Sequence, residues 1–305
     1  CAQGQSCLEG RCWQPADLCG VDLGGANLVG ATLDGARLEG ARLSGINASN
    51  ASLTGVTLSG ADLSGANFFG ASLLGADLSG RSQGCDPDAL SRGTVLVGAD
   101  FTSANLRDAR LVSEDEALAL PEEPCGLEGE RPAIDLSGVT FAQTNLSGAF
   151  MPGVSLSGAD LSSALLQNTD LRSACLSGAS LILTNLRGAQ LERANLNDAF
   201  LIGSILLEAK LAGAQLEGAN LSGANLVGAD LSDVQAAGAV LLDVTLGDAF
   251  GFPPFPSEEC EVELPAICLN WGEIETCEAR VGEETGDCEY RLPRACTVIR
   301  TSLAG

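Results

Sequence analysis

Residues 16–80 read ADLCG VDLGG ANLVG ATLDG ARLEG ARLSG and continue in steps of five to ADLSG. The same period returns around central residues Leu96 to Leu111, and again from Ile134 to about Asp248. The three blocks hold 13, 4 and 23 units, forty in all, and the central residue is Leu in 34 of them. Ala precedes the central residue by two positions in 27 units. This regularity predicts a repeat architecture.

A five-residue period excludes the common regular elements. On an α-helix five residues advance about 500°, so successive leucines drift by roughly 140° and form no single buried stripe. On a flat strand an odd period places alternate leucines on opposite faces. The pattern is satisfied if the chain bends within every unit, so that Ala and Leu point inward while Gly and its neighbour turn the chain. Four such bends close a square coil.

These units resemble the A(D/N)LXX signature of the pentapeptide-repeat family over about 200 of the 305 residues. The resemblance implies an all-β fold, a right-handed quadrilateral β-helix with four units per coil. Forty units would then give about ten coils and, at roughly 4.8 Å between stacked strands, a rod about 48 Å long. Burial of a Leu contributes about 1.5–3 kcal/mol, so 34 of them could support a rod without a wide core.

Five units depart from Leu at the centre in an informative way. Ala48 and Ala236 are expected to leave local voids or to pinch the coil, whereas Phe68, Phe101 and Phe141 are expected to widen it. We interpret all five as size adjustments of one core rather than as a ligand pocket.

Two insertions interrupt the repeats, at residues 81–93 and 113–133. The first shifts the phase, which predicts a loop that substitutes for part of a face. The second keeps the phase, so it either replaces four whole units or bulges out while the coil continues. Each insertion carries one cysteine, Cys85 and Cys125, about two coils apart in this scheme. We predict that these two cysteines pair with each other.

The repeats divide the chain into three regions: a cysteine-rich head at 1–15, the β-helix with its insertions at 16–249, and a tail at 250–305. The head looks similar to short cysteine-rich heads of secreted proteins in some Gram-negative bacteria. The tail abandons the period, and we expect it to be a small disulfide-bonded module that caps the rod or takes part in assembly. Its first apolar residues, Phe250, Phe252 and Phe255, are predicted to cover the last coil.

The chain has 12 Cys and no His. Because Cys-x-x-Cys pairs are absent as well, disulfides are favoured over zinc, and disulfides indicate an oxidising compartment. Cys175, alone on the repeat wall, is the candidate for a free or intermolecular thiol. The disulfide candidates are Cys1, Cys7, Cys12, Cys19, Cys85, Cys125, Cys260, Cys268, Cys277, Cys288 and Cys296.

Cys1 has a second interpretation. The sequence starts with this Cys and without Met, which is typical of a processed product, and bacterial lipoproteins carry their lipid on such a residue. A lipid anchor at Cys1 and a disulfide at Cys1 therefore both stay open. No stretch approaches the roughly 20 apolar residues that span a bilayer, so attachment to a membrane would be through lipid. We expect an extracellular, cell-surface or periplasmic protein after removal of a signal peptide.

The formal net charge is -24. Such a chain is repelled by nucleic-acid phosphates and by anionic membranes, so we expect no nucleic-acid partner. Catalysis is not expected either, since there is no His and the outward Ser residues have no adjacent base. Carboxylates are expected in outward columns, with Asp62 and Asp77 in one and Asp160 and Asp230 in another, but a convex wall offers them no cleft. No cofactor or metal site is predicted.

Two functional classes remain. In the first, the chain is an extracytoplasmic structural or interaction protein whose rods associate head to tail, since open strand edges pair with other chains and heterologous contacts produce filaments. In the second, the acidic rod imitates DNA and inhibits a DNA-binding enzyme. The resemblance allows this, because some pentapeptide-repeat proteins bind gyrase and give quinolone resistance. The abundant cysteines favour the first class.

Overall fold

A computed structural model describes residues 16–79, 94–113, 117, 134–246 and 249, and the backbone of four short strands. The strands are β1 (Ser6–Leu8), β2 (Arg11–Trp13), β3 (Glu278–Val281) and β4 (Cys288–Arg291). β1 pairs antiparallel with β2, and β3 pairs antiparallel with β4. The predictions on Cys1, Cys85, Cys125 and the three tail phenylalanines lie outside the described residues.

From residue 16 onward the chain winds into a four-sided coil. In uninterrupted repeats the residue before each central Leu forms a parallel bridge to the residue 20 positions later, as Asp17 does to Arg37. Around this bridge Leu18 N–H donates to the Arg37 carbonyl (2.8 Å), and Arg37 N–H donates to the Ala16 carbonyl (2.9 Å). Twenty residues are four units, so the structure confirms the quadrilateral β-helix.

A tight turn at the end of each unit makes the corner. Val21 N–H donates to the Leu18 carbonyl at 3.2 Å, and Gly20 between them has a φ of 63°. A positive φ at the third residue of such a turn favours glycine, which explains the Gly that recurs every five residues. Among the described residues, thirteen that are not glycine also take a positive φ at this position of their units, and one of them is Leu183, at 56°.

The Asp or Asn before each central residue has a structural task. Asp22 Oδ1 accepts the N–H of Gly24 (3.1 Å), and Asn67 Oδ1 accepts the N–H of Phe69 (2.9 Å). This N–H lies at the corner, where the neighbouring coil provides no carbonyl for it, so the side chain supplies the acceptor. The preference for Asp and Asn therefore follows from backbone hydrogen bonding.

The four sides of the coil can be named from the bridge pattern. We call them face 1 to face 4, beginning with the units centred on Leu18, Leu23, Leu28 and Leu33, and each successive stacked turn of the chain is a level. Face 3 is opposite face 1. Its ten central residues, in order along the rod, are Leu28, Ala48, Phe68, Phe101, Phe141, Leu161, Leu181, Leu201, Leu221 and Leu241.

The core is the lumen of this coil, and the central residues from Leu38 to Leu246 are buried in it. Phe68, Phe101 and Phe141 stack on consecutive levels of face 3. Their ring centroids are 5.0 Å and 5.2 Å apart, with planes inclined by 5° and 13°. The rings widen the core together, as one ladder.

The two central alanines are accompanied by larger residues two positions earlier. Ile46 precedes Ala48 and Val234 precedes Ala236, where most units have Ala, and all four side chains are buried. The larger side chain two positions earlier compensates for the smaller central one and largely fills the core. Next to Ala48 a small apolar cavity of about 10 Å³ remains, lined by leucines of the first three levels and by Phe68. The expected void is therefore present at Ala48.

The first insertion does not substitute for part of a face, and that expectation is wrong. Asp62 bridges to Val95 and Asp77 bridges to Arg110, and the partners in each pair are separated by one coil plus thirteen inserted positions. All four faces thus continue across the gap. The Thr94 hydroxyl anchors the returning chain by accepting the Gly60 N–H at 3.0 Å.

The second insertion bulges out of the rod while the coil continues, and it does not replace four units. Asp100 bridges to Thr140, so these partners are separated by one coil plus twenty inserted positions. Both insertions leave the rod at the corner between face 1 and face 2, on consecutive levels. Their stems are one coil apart, whereas the sequence suggested about two for Cys85 and Cys125. Among the described residues, no helix is long and apolar enough to cross a bilayer.

Candidate interaction surfaces of the rod

The outward carboxylates and hydroxyls mainly support the turns. Ser64 Oγ donates to Asp62 Oδ1 at 2.6 Å, while the same oxygen accepts the Ser64 N–H at 3.0 Å. Asn220 and Asp230 hold Ser222 and Ser232 in the same way. These hydroxyls therefore face an acceptor already used by the backbone, on a convex wall. In the described part of the chain no group of three or more metal-ligating side chains exists.

The expected columns of carboxylates are wrong. Asp62 lies on face 2 and Asp77 on face 1, while Asp160 lies on face 3 and Asp230 on the opposite face 1. Residues share a column only when their separation, corrected for the insertions, is a multiple of four units. Asp77 follows Asp62 by three units and Asp230 follows Asp160 by fourteen, so neither pair meets that condition.

Charge is distributed unequally over the four faces. The described rod has 18 acidic and 8 basic side chains, a net charge of -10. Face 1 has twelve of these 26 charged residues, including five of the eight bases, whereas face 3 has three acids and no base. The bases of face 1 are Arg37, Arg110, Arg172, Arg193 and Lys210.

Several charges of face 1 are paired. Arg172 binds Asp170 through two hydrogen bonds, from Nε to Oδ1 (2.9 Å) and from Nη2 to Oδ2 (2.6 Å). The hydrogen bond to Asp170 raises the pKa of Arg172 above its ordinary value. On the second level Arg37 Nη2 lies 2.9 Å from Glu39 Oε2, which raises the pKa of Arg37. Ion pairs as exposed as these contribute little to stability.

Face 3 and its corner with face 4 are apolar outside as well as inside. Leu183, at the face 3 corner, has 63% of its surface exposed, and Phe200 on the next level has 47%. Of the ten exposed large apolar residues in the described part of the chain, eight lie on faces 3 and 4. They are Val29, Phe69, Leu74, Leu165, Leu183, Phe200, Ile202 and Ile205.

The two ends of the rod differ. On the first level Leu18, Leu23, Leu28 and Leu33 are only partly buried, whereas Leu231, Leu241 and Leu246 on the last level are buried. The hydrogen-bonding edges are complementary. Within the described residues, Leu231 and Leu241 N–H have no backbone acceptor, and on the first level the Asp17 and Asn27 carbonyls have no backbone donor.

Two cysteines can be placed on this rod. Cys19 lies on face 1 of the first level, and Cys175 lies on face 2, where only 6% of its surface is exposed. Cys175 Sγ is 3.1 Å from Ser157 Oγ. Cys19 Sγ is 3.3 Å from Glu39 Oε2.

The repeat geometry agrees with a comparison to known families. The family described as "Pentapeptide repeats" matches residues 16–47, 49–80, 91–113, 134–172, 164–203, 184–223 and 204–248. The chain belongs to the pentapeptide-repeat family.

Solved structures of other pentapeptide-repeat proteins are similar to this chain. HetL of the cyanobacterium Nostoc, described as involved in the regulation of heterocyst differentiation, is 30% identical, with a TM-score of 0.50 over 77% of this chain and 86% of HetL. QnrB1, a plasmid-mediated fluoroquinolone resistance protein, is 22% identical over 73% of this chain and 84% of its own, with a TM-score of 0.33. A thylakoid-lumen protein of Arabidopsis thaliana is 29% identical over 37% and 75%, with a TM-score of 0.23. No curated protein matches the sequence.

Sequence reasoning missed the apolar surface on face 3 of this pentapeptide-repeat rod. The signal was present in the positions that follow each central residue, for example Phe69, Ile182 and Ile202. It becomes visible only when the units are assigned to their faces, and that assignment requires the inserted residues to be left out when positions are counted. Without that correction the apolar residues look scattered along the chain.

Proposed function

We propose that this chain is a non-catalytic, extracytoplasmic building block whose rods stack head to tail into fibres. The observation that carries the proposal is the complementarity of the two ends. Among the described residues, carbonyls of the first level and N–H groups of the last level have no backbone partner, and they lie in the same four-sided arrangement that every pair of adjacent levels uses. A second copy placed end to end would continue the coil with about ten levels per subunit.

Burial at the mouth of the lumen supports the same proposal. The four leucines of the first level are left partly open, and covering them with the end of another rod would remove apolar surface from water. Each square ångström covered stabilises the contact by about 25 cal/mol. The head and the tail, with their cysteines and with Phe250, Phe252 and Phe255, would clasp or cap this junction.

The proposed location outside the cytoplasm is supported by the number of cysteines. A chain with 12 Cys and no metal-binding motif is typical of an oxidising compartment. The pairing of Cys85 with Cys125 is favoured by insertion stems that leave the same corner on consecutive levels. A bacterial cell surface, with or without lipid on Cys1, is the setting we infer.

A charge at the mouth of the lumen tests the stacking. We expect wild-type protein to form particles that are integral multiples of one rod length in electron micrographs, in a concentration-dependent manner. Leu23→Lys on the first level should give single rods, because an ammonium group at the junction would be desolvated by the next subunit. Ser44→Lys adds the same charge one level further along face 2, on the outward side, and should leave stacking intact.

Single wild-type rods at every concentration would contradict the proposal, and so would stacking that survives Leu23→Lys. A urea titration of both variants shows whether the lysine has damaged the coil itself. Non-reducing mass spectrometry of native material addresses location separately. We expect the mass of disulfide-bonded cysteines, and an additional acyl mass on the amino-terminal peptide would identify a lipoprotein.

The alternative function is an acidic DNA mimic that inhibits an enzyme such as gyrase. Membership of the pentapeptide-repeat family and the net charge of -24 favour it. Duplex DNA, however, carries one charge per 1.7 Å, so about 28 charges along a 48 Å rod. The described rod has a net charge of -10, and many of its carboxylates accept turn N–H groups. Potent inhibition in a supercoiling assay would establish the mimic over the building block.

A further inference from the structure

The outward surface of face 3 is unlike that of any other face. At the position after the central residue, where the other faces include Glu, Arg, Asp or Asn, face 3 has no charged residue on any level. The ten residues of this column are Val29, Ser49, Phe69, Thr102, Ala142, Ser162, Ile182, Ile202, Ser222 and Leu242. Six are apolar and four are small hydroxyl residues, so the column runs uncharged along the rod.

Leu183 adds an unfavourable conformation to this surface. Its φ of 56° is in the left-handed region, which costs a residue with a side chain about 1–2 kcal/mol. Its side chain is nevertheless mostly exposed and lies over Gly203, where a Cβ would be only 2.9 Å from Leu183 Cδ2. Of the thirteen non-glycine residues with this φ in the described part of the chain, Leu183 is the one apolar residue. An exposed apolar side chain in a strained turn points to a contact beyond the monomer.

We propose that face 3 is the surface through which two copies of this chain pair side by side. The strands of this face are already hydrogen-bonded between adjacent levels, as where Phe200 N–H donates to the Ala179 carbonyl at 2.9 Å, so the contact is made by side chains and not by strand addition. Both insertion stems leave at the corner between faces 1 and 2. That corner is diagonally opposite the apolar corner of faces 3 and 4.

The area of face 3 fits a second rod. One side of a coil has five residues, at most about 16 Å of chain, and the rod is about 48 Å long, so the face has at most about 800 Å² per copy. A standard stable interface buries about 800 Å² per partner. A short peptide would leave much of the face open, whereas an equally long flat surface covers it. A second copy has that length and flatness.

Charge selects the relative orientation of the two rods. The acids of face 3 are Asp100, Asp160 and Asp243, on levels four, six and ten. Parallel rods in register would place every acid beside its own copy. Antiparallel rods related by a two-fold axis place level four opposite seven, six opposite five and ten opposite one, so that no acid meets another acid.

The same antiparallel pairing brings apolar residues together. Level three meets level eight, so Phe69 lies opposite Ile202, and level one meets level ten, so Val29 lies opposite Leu242. Ser and Thr lie between these apolar contacts along the column, and such a mixture of apolar and polar area is usual for a protein interface taken as a whole. A two-fold axis makes each contact occur twice, which closes the dimer. The lateral dimer is independent of end-to-end stacking, since the two contacts use different surfaces.

Sedimentation and small-angle X-ray scattering of the full chain test the pairing. We expect a dimer whose length equals that of one rod and whose cross-section is doubled, whereas stacking alone doubles the length. Ile202→Ser and Phe69→Ser should each weaken dimerisation about tenfold or more, as loss of a large buried apolar contact does. Val97→Ser removes an equally positioned and exposed apolar residue from face 2 and should change the dimer dissociation constant less than twofold. Serine is native at this position in several units, so all three variants should fold.

A photo-crosslinking amino acid in place of Phe69 tests the orientation. Crosslinks should join it to the peptide that contains Ile202 of the other copy. A laterally monomeric protein at about 100 µM, or dimerisation equally sensitive to Val97→Ser, would overturn the proposal. Crosslinks from Phe69 to the Phe69 region would overturn the antiparallel orientation and favour parallel rods. Loss of lateral pairing with stacking retained would refute this inference alone and leave the proposed function in place.

Discussion

Faces 1 and 3 are opposite walls of one tube, and they differ more outside than inside. Inside, each presents a column of apolar residues, mostly Leu, at the same spacing, with Met151 on face 1 and with Ala48 and the phenylalanine ladder on face 3. Outside, face 1 has twelve charged residues, many of them paired, while face 3 has three and several exposed apolar side chains. The coil therefore separates folding from recognition, since the inward positions are constrained alike and the outward ones are free to differ.

The largest expected effect on stability is the loss of a buried leucine, and it should be the same on both walls. Leu171→Ala on face 1 and Leu181→Ala on face 3 remove equivalent, fully buried side chains from one level. Each should lower the free energy of unfolding by about 2–5 kcal/mol, because a cavity is left in a narrow lumen. Urea denaturation gives the values. If one wall tolerated the change at less than about 1 kcal/mol, the common core would be disproved.

Replacing a residue of positive φ by Gly should raise stability on both walls but weaken lateral pairing on only one of them. Leu183→Gly on face 3 and Asp233→Gly on face 1 both replace a residue of positive φ, at 56° in each case. Each should raise the free energy of unfolding by about 1 kcal/mol. Only Leu183→Gly should also weaken lateral pairing. Equal effects of the two variants on the dimer dissociation constant would contradict the distinction between the walls.

Loss of a turn acceptor should cost a similar amount on either wall. Asp77→Ala on face 1 and Asn67→Ala on face 3 each remove the oxygen that accepts a corner N–H, at 2.9 Å in both cases. A hydrogen bond of this kind contributes about 0.5–1.5 kcal/mol, so the urea midpoint should fall accordingly. Conversion to the other acceptor, Asp77→Asn and Asn67→Asp, is the control and should be nearly neutral. A neutral alanine variant would show that water replaces the side chain.

The smallest effect is expected at Ala48 on face 3. The adjoining cavity is about 10 Å³, and cavities cost about 24 cal/mol per Å³, so filling it contributes only a few tenths of a kcal/mol. Ala48→Val should raise the thermal midpoint slightly. Ala236→Val on face 2, beside the bulky Val234, is the comparison and should not raise it. Strong destabilisation at Ala48 would mean that the space is not available to a side chain.

The fold could be predicted from the sequence because the core has one dominant residue at one spacing. Leu at every fifth position leaves a bent unit as the only arrangement that buries all of them, and the structure has that arrangement. The surface could not be predicted with the same ease. Which outward residues share a face depends on the register, and each insertion lengthens the separation between neighbouring levels by a different amount.

The wrong expectations about the surface have a single physical origin, which is the register of the units across the insertions. Asp62 and Asp77 were expected in one column because their spacing is a multiple of five, although only multiples of four units return to the same face. The stacked rings of Phe68, Phe101 and Phe141 are likewise hidden, because an insertion lies between each ring and the next one along the chain. Propensity and composition do not contain this information, since it follows from where the inserted residues leave the coil.

The continuity of the coil through both insertions is best tested by double-mutant cycles on the ladder. Replacement of Phe101 and Phe141 by Leu, singly and together, should give a coupling energy of about 0.5–1.5 kcal/mol, as expected for rings stacked on adjacent levels. Phe68 and Phe141, two levels apart, should couple much more weakly. A coupling of zero between Phe101 and Phe141, within an error of about 0.3 kcal/mol, would contradict the stacking of levels on which the faces and both proposals are based.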